Sequence, residues 1–415
     1  MDLLRFITAG SVDDGKSTLI GRLLFDSKSI LTDQLEALER QSRNKEDGEI
    51  DLALLTDGLR AEREQGITID VAYKYFSTPR RKFIIADAPG HIQYTRNMVT
   101  GASNANLMII LIDARNGIVE QTRRHSIIAS LLNIPHVVVA INKMDLVDYS
   151  QDLYNDIVID YAEIARTLQL KDVVYLPISA LKGDNIVERS ANLSWYEGPA
   201  LLELLEQTEV QKDIDHSRGR LSVQYIIRPQ TEELHDYRGY AGKISSGTWR
   251  RGDLVTVLPS GQTSRIRHID TGGREVETAI APQSVILQLE DDIDISRGDL
   301  LVTGERPPQL AQEIEALVCW MDSKPLGAGN KYILQLGSRT VRGLVRDIEY
   351  RLDVNTLERQ LSPSQAGLND IVKVNIRTAS LLPFDAYTDL PANGGAILID
   401  ETSNVTVGAC LLQAR

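Results

Sequence analysis

An α/β domain with a mostly parallel sheet, followed by two small β-barrels, is predicted by three features of this 415-residue chain. From residue 3 to about residue 210, short β-rich apolar runs alternate with longer stretches of helical periodicity, the pattern of parallel strands joined by crossover helices. A glycine-rich segment, Gly10-Ser11-Val12-Asp13-Asp14-Gly15-Lys16-Ser17, sits between the first apolar run and the first helical one. Beyond about residue 210 the helical periodicity fades, and short alternating runs separated by Gly, Pro and Asp turns take over.

In chain order, the strands of the first region are expected at 3–9, 71–76, 82–87, 107–113, 136–142 and 173–179. Helical stretches include 17–25, with apolar residues at 19, 20, 23 and 24, and 121–132. The polar segment 29–60 reads as a partly helical insertion between the first helix and the next strand. Runs at 221–227, 240–244, 254–257 and 285–289 suggest one barrel, and those at 314–320, 331–336, 341–350, 370–376, 395–399 and 405–412 a second. The break falls near Arg306-Pro307-Pro308, giving expected domains 1–212, 213–306 and 307–415.

Composition narrows the class of protein. With 42% hydrophobic and 25% charged residues the chain is that of an ordinary globular protein, and no apolar run nears the roughly 20 residues that span a bilayer. The start of the chain lacks the basic and apolar regions of an export signal. Cys319 and Cys410 are too few for a disulfide framework, so a cytoplasmic location is expected. A net charge of −13 gives no basic footprint for nucleic acid, and neither nucleic acid nor membrane is an expected partner. His125, His136, His216, His235 and His268 lack metal-ligand spacing, while Trp195, Trp249 and Trp320 read as packing residues.

The chemistry-bearing residues fall where expected strands end. The G-x-x-x-x-G-K-S run spans Gly10 to Ser17, with Thr18 following. Its glycines let backbone N–H groups turn around phosphate oxygens, a helix N-terminus adds its dipole, and Lys16 adds a point charge. Ser17 offers a hydroxyl to Mg²⁺. Asp87-Ala88-Pro89-Gly90 ends the run Phe83-Ile84-Ile85-Ala86, so Asp87 can hold Mg²⁺ while the Gly90 N–H reports on a terminal phosphate. Asn142-Lys143-Met144-Asp145 follows another apolar strand. A carboxylate at Asp145 accepts from both the ring N–H and the exocyclic amine of guanine, whereas adenine turns a ring acceptor toward it. Ser179-Ala180-Leu181 ends a further strand and can present backbone N–H to the guanine oxygen. Within Gly66-Ile67-Thr68-Ile69, Thr68 can complete the magnesium shell when a γ-phosphate is present. His91 can orient a water in line with that phosphate, with Val12 and Ile67 as an apolar gate. The expected catalytic residues are thus His91, Lys16 and Thr68, the expected metal ligands Ser17, Thr68 and Asp87, and the expected cofactors GTP or GDP with Mg²⁺. The first region is accordingly an expected P-loop GTPase domain.

On these residues the chain resembles the translation-factor superfamily of GTPases, and most of all the GTPase subunit of bacterial sulfate adenylyltransferase. The discriminating runs are 10–24, 61–73, 93–98, 236–242, 292–299 and 403–409, which carry the likeness almost to the C-terminus. Ile92 departs from the pattern, since related sequences more often carry an acidic or small residue after the histidine. No second G-x-x-x-x-G-K-S/T, as a fused adenylylsulfate-kinase module would need, occurs in this sequence. The resemblance implies a hetero-oligomer in which a small catalytic subunit makes adenosine 5′-phosphosulfate from ATP and sulfate, with GTP hydrolysis coupled to that uphill step. Its rival is an elongation-factor-like carrier of aminoacyl-tRNA with the same fold. The extended matches and the acidic charge favour the first.

Overall fold

The computed structural model describes residues 2–28, 71–88, 95–210, 215, 217–229, 237–356 and 358–414. Thr68, Gly90 and His91, together with the segment 29–60 read as an insertion, lie outside these residues. The chain divides into two compact units, residues 1–211 with 354–357, and residues 212–353 with 358–415.

The first unit is built on a six-stranded sheet. Its strands are β1 (Asp2–Ala9), β2 (Ala72–Ser77), β3 (Arg81–Asp87), β4 (Leu107–Asp113), β5 (His136–Asn142) and β6 (Asp172–Pro177), in the spatial order β2-β3-β1-β4-β5-β6. Only β2 runs antiparallel to its neighbour. The central strands are apolar on both faces because both faces are covered. Every residue of β4 is buried, with Leu107, Ile109 and Leu111 in one core layer beside Leu19, Ile20 and Leu23 of helix α1 (Lys16–Asp26). Each such buried aliphatic side chain contributes roughly 1.5–3 kcal/mol. Further helices are α2 (Thr95–Ala102), α3 (Glu120–Leu131), α4 (Gln151–Thr167) and α5 (Leu201–Gln207). Helix α4 buries Ile157, Tyr161, Ile164 and Ala165, the i, i+4, i+7, i+8 stripe of an amphipathic helix. Because the chain leaves β1 toward β2 on one side and leaves the adjacent β4 toward β5 on the other, the connections diverge between them, and such a switch point opens a crevice at the strands' carboxyl ends.

The second unit holds two antiparallel, closed six-stranded barrels. In the first, Leu254–Leu258, Leu300–Thr303, Gly219–Ile227, Gly239–Ser246, Ser284–Leu289 and Thr263–Thr271 follow in order, and the last pairs back to the first. In the second, Lys331–Leu336, Gly395–Ile399, Thr406–Leu412, Gln309–Trp320, Ile371–Phe384 and Arg339–Leu352 close in the same way. Each encloses one tryptophan. Trp249 donates its indole N–H to Ser246 O at 3.1 Å and Trp320 to Lys324 O at 2.8 Å, so both fill cores with their polar atom satisfied. Cys319 and Cys410 are free, buried thiols on neighbouring strands, and burial pushes Cys319 up to about 12, which keeps it protonated and unreactive.

Arg220 is a fully buried cation in this unit. Its Nε donates to Asp385 Oδ2 at 2.9 Å and its Nη2 to Asp385 Oδ1 at 3.1 Å, a bidentate pair. The remaining donors reach Gly219 O at 2.9 Å and Arg306 O at 2.6 Å, and Asn393 Nδ2 donates to Asp385 Oδ2 at 2.8 Å. No helix among the described residues is long and apolar enough to cross a membrane.

Candidate functional site

Three strands of the first unit end in polar residues on one rim of the sheet, and two more run into loops beside them. β1 runs into Gly10, while β3, β4 and β5 stop at Asp87, Asp113 and Asn142, and the chain beyond β6 turns at Ser179. The apolar runs give way there to polar residues that the surrounding loops bury, so the rim gathers carboxylates, amides and hydroxyls by topology.

The loop from Gly10 to Lys16 is shaped by two left-handed residues, Asp13 at φ 70° and Gly15 at φ 95°. A Cβ on Gly15 would stand 2.5 Å from Asn142 Nδ2, so only glycine fits there. Inside the loop, Asp14 Oδ2 accepts the Ser11 N–H at 2.5 Å, and Lys16 Nζ donates to Gly10 O at 3.0 Å and Ser11 O at 2.7 Å. Among the described residues, the N–H groups of Val12, Asp13, Gly15, Lys16, Ser17 and Thr18 meet no protein acceptor. Such a run of N–H groups at a helix N-terminus is an anion cradle. Burial lowers the pKa of Lys16 against the opposing pull of Asp87, Asp14 and Asp13, and burial likewise raises that of Asp14. Asp87 is buried, and Thr8 Oγ1 donates to it at 3.3 Å. The Ser17 hydroxyl and the Asp87 carboxylate are hard oxygen donors of the kind magnesium takes, so both the loop and its surroundings fit a phosphate chain with its metal.

Asn142 joins two parts of the rim. Its Nδ2 donates to Asp14 O at 2.7 Å, and its Oδ1 accepts the Ala180 N–H at 2.9 Å, which ties the glycine-rich loop to the turn after β6. Lys143, left-handed at φ 63°, extends its Nζ to 2.9 Å from Asp113 Oδ2. Asp145 follows on the short 3-10 turn Met144–Val147, half-buried and without a hydrogen bond to any described residue. Ser179 is buried, and its Oγ accepts the Lys182 N–H at 3.1 Å. The structure thus brings together Gly10 to Thr18, Asp87, Asn142, Lys143, Ser179 and Ala180 along one rim, with Asp145 and Leu181 beside it.

Asp113 belongs to no motif, yet it anchors this rim. Arg115 Nε and backbone N–H each reach Asp113 Oδ1 at 3.0 Å, and Arg115 Nη2 and Lys143 Nζ reach Oδ2 at 2.6 and 2.9 Å. Burial alone would raise its pKa, but the donors from Arg115 and Lys143 outweigh it and hold the carboxyl below the usual carboxylate range. The available signal was an aspartate closing a fully apolar strand, as at Asp87.

His125 on α3 is buried, and its Nδ1 has no hydrogen-bond partner among the described residues. Burial first, then Lys16 and Arg124, push its pKa down to about 3. The folded protein therefore keeps the imidazole neutral, whereas the unfolded chain protonates it below about 6.5. Its contribution to stability is complete above that pH and is lost as pH falls toward 3. Between pH 7 and 5 the parent is expected to lose about 2 kcal/mol more than a His125→Gln variant. Denaturant unfolding at the two pH values tests this, and parallel pH profiles would refute it.

Residues 1–212 match the family described as Elongation factor Tu GTP binding domain, and residues 313–413 match the GTP-eEF1A C-terminal domain-like family. Sulfate adenylyltransferase subunit 1 of Chromobacterium violaceum is 54% identical over 418 residues, covering 100% of this chain and 86% of the relative. The protein of that name from Shewanella woodyi is 52% identical over 414 residues, covering 99% of this chain and 87% of the relative. The bifunctional enzyme CysN/CysC of Mycobacterium tuberculosis is 52% identical over 408 residues, and the chain spans 66% of its length.

Proposed function

The chain belongs to the sulfate adenylyltransferase subunit 1 family, whose N-terminal half is a translation-factor-type GTP-binding domain, and from that premise we propose that it is the GTP-hydrolysing subunit of a sulfate-activating complex. Its partner would be a small catalytic subunit that joins the adenylyl group of ATP to sulfate, and the complex would work in the cytoplasm. We divide the chain into a GTPase domain at 1–212 and barrels at 213–306 and 307–415.

The observation that carries the reading is the rim itself: an anion cradle with a buried lysine, bridged by one asparagine to the turn that follows β6. Residues Gly10 to Thr18 would wrap the phosphates, with Lys16 placing its charge on the outer ones. Ser17, Asp87 and Thr68 would hold Mg²⁺, which when bound neutralises developing phosphate charge. Asp145 would read the guanine edge, Asn142 and Lys143 would brace its turn, and Ser179, Ala180 and Leu181 would form the wall at the guanine oxygen. Gly90 would sense the terminal phosphate and His91 would orient the attacking water. A nucleotide shifts the complex only by its differential affinity for two conformations, so hydrolysis would drive sulfate activation through such states.

The test combines the chain with the small subunit and follows GTP hydrolysis with ATP and sulfate present. Hydrolysis faster than with either protein alone is the expected result. Tight GTP-dependent binding of charged tRNA, with no response to ATP and sulfate, would overturn the proposal in favour of a delivery factor.

A further inference from the structure

Arg22 lies in the second turn of α1, the same helix whose N-terminus carries Lys16 and Ser17. Its side chain leaves the helix toward the turn after β6. Nε donates to Ala180 O at 3.3 Å, and Nη2 donates to Leu181 O. Asp26, one turn further on, stands 3.6 Å from Arg22 Nη1 and keeps the guanidinium oriented. Gly183 takes a left-handed φ of 85°, and a Cβ there would stand 3.6 Å from Arg22 Cδ, so the turn closes around the arginine stem.

The backbone N–H groups of this turn are nearly all committed. That of Ala180 goes to Asn142 Oδ1 at 2.9 Å, that of Lys182 to Ser179 Oγ at 3.1 Å and that of Gly183 to Ser179 O at 2.8 Å. Among the described residues the Leu181 N–H has no acceptor. That N–H belongs to the same planar trans peptide as the Ala180 carbonyl, and in such a unit the two point in opposite directions. By holding the Ala180 carbonyl on the α1 side, Arg22 turns the Leu181 N–H to the other side.

We propose that Arg22 is a positioning residue for base selection: it aims the Leu181 N–H at the carbonyl oxygen on C6 of guanine. The assignment rests on the GTP reading above and adds to it a named donor and the residue that aims it. Adenine carries an amine at C6, a donor facing a donor, so the aimed N–H penalises adenine independently of Asp145. An exocyclic oxygen is the ligand feature recognised; the ring N–H and the 2-amine remain with Asp145.

The test measures dissociation constants for GDP, 6-thio-GDP, IDP and ADP on the full chain, its Arg22→Ala variant and its Arg22→Lys variant. Sulfur at C6 is a weak acceptor, and IDP keeps the C6 oxygen but lacks the 2-amine. The parent is expected to bind GDP about tenfold more tightly than 6-thio-GDP, the worth of one buried hydrogen bond. In R22A that preference is expected to fall below about twofold, with GDP itself weakened about tenfold, while the GDP-over-IDP preference stays at the parent value. R22K, whose ammonium can reach one of the two carbonyls, is expected to fall between. A change in folding stability alone weakens all nucleotides together and leaves every ratio in place. A parent that shows no 6-thio penalty, or an R22A or R22K that keeps the full parent ratio, overturns the role of Arg22. A parent that binds ADP as tightly as GDP instead overturns the GTP reading beneath it.

Discussion

Replacing Arg220 with alanine is expected to lower the unfolding free energy of the barrel unit by about 3–5 kcal/mol, the cost of breaking a buried ion pair from one side. The reason is what the arginine leaves behind. Asp385 has its two oxygens on Arg220 Nε and Nη2, and the unit also buries the Gly219 and Arg306 carbonyls against the same guanidinium. After truncation Asp385 keeps the Asn393 amide at 2.8 Å and a distant Arg218 at 3.9 Å, too little to compensate a carboxylate with 6% exposure. The double variant Arg220→Met with Asp385→Leu removes both charges and is expected to recover much of the loss. Denaturant titration of the single and double variants decides the matter. A single-variant loss below about 1 kcal/mol would mean that water reaches the pair and screens it.

Asp145→Asn is expected to weaken GDP binding by about 10²–10³-fold and to make xanthosine diphosphate the preferred ligand, since two charge-assisted hydrogen bonds are exchanged for a mismatch. In the parent the carboxylate would accept from the guanine ring N–H and its 2-amine. An amide keeps one acceptor but places an N–H₂ opposite the 2-amine, a clash of donors. Xanthine carries an oxygen where guanine carries that amine, so the amide matches it. The short turn that carries Asp145 is held independently of the substituted atoms, by Lys143 on Asp113 and by the Met144 N–H on Ile178 O at 3.2 Å. Folding should therefore survive, and equilibrium binding of the two diphosphates reads the switch. A variant that holds GDP within about threefold of the parent would remove Asp145 from the base site.

Much of the first unit was legible because its strands are continuous apolar runs ending in polar residues. β4 and β5 match their expected limits, and β1, β3 and α1 match to within one residue. The second barrel's six strands were all anticipated, since each contains an apolar run bounded by turn residues, and Lys331–Leu336 and Gly395–Ile399 alternate throughout. In the first barrel, Thr263–Thr271 was missed for a physical reason: the register shifts between Ile266 and His268, so its buried positions change phase midway and period-2 alternation disappears. Leu300–Thr303 is four residues long and buried throughout, too short to register as a pattern. In the site, sequence spacing located the glycine-rich loop and the turns, because those depend on local backbone. It gave no warning that Ser11 spends its N–H on Asp14, or that Ala180 spends its own on Asn142. These bonds, like the pairing of Asp113 with Arg115 and Lys143, depend on which loops the sheet order makes neighbours.

The closure of both barrels also limits how a second protein can attach to them. Where a strand is paired on each side it offers no row of idle amides and carbonyls, so an incoming chain cannot add to it there by β-augmentation. Among the described residues, one-sided margins include the three-residue pieces Arg274–Val276 and Arg359–Leu361 and the start of Gln309–Trp320, which pairs with Thr406–Leu412 only from Ala316 onward. Over the closed ladders, recognition runs through outward-facing side chains and connecting loops, which can change in evolution without disturbing the ladders beneath.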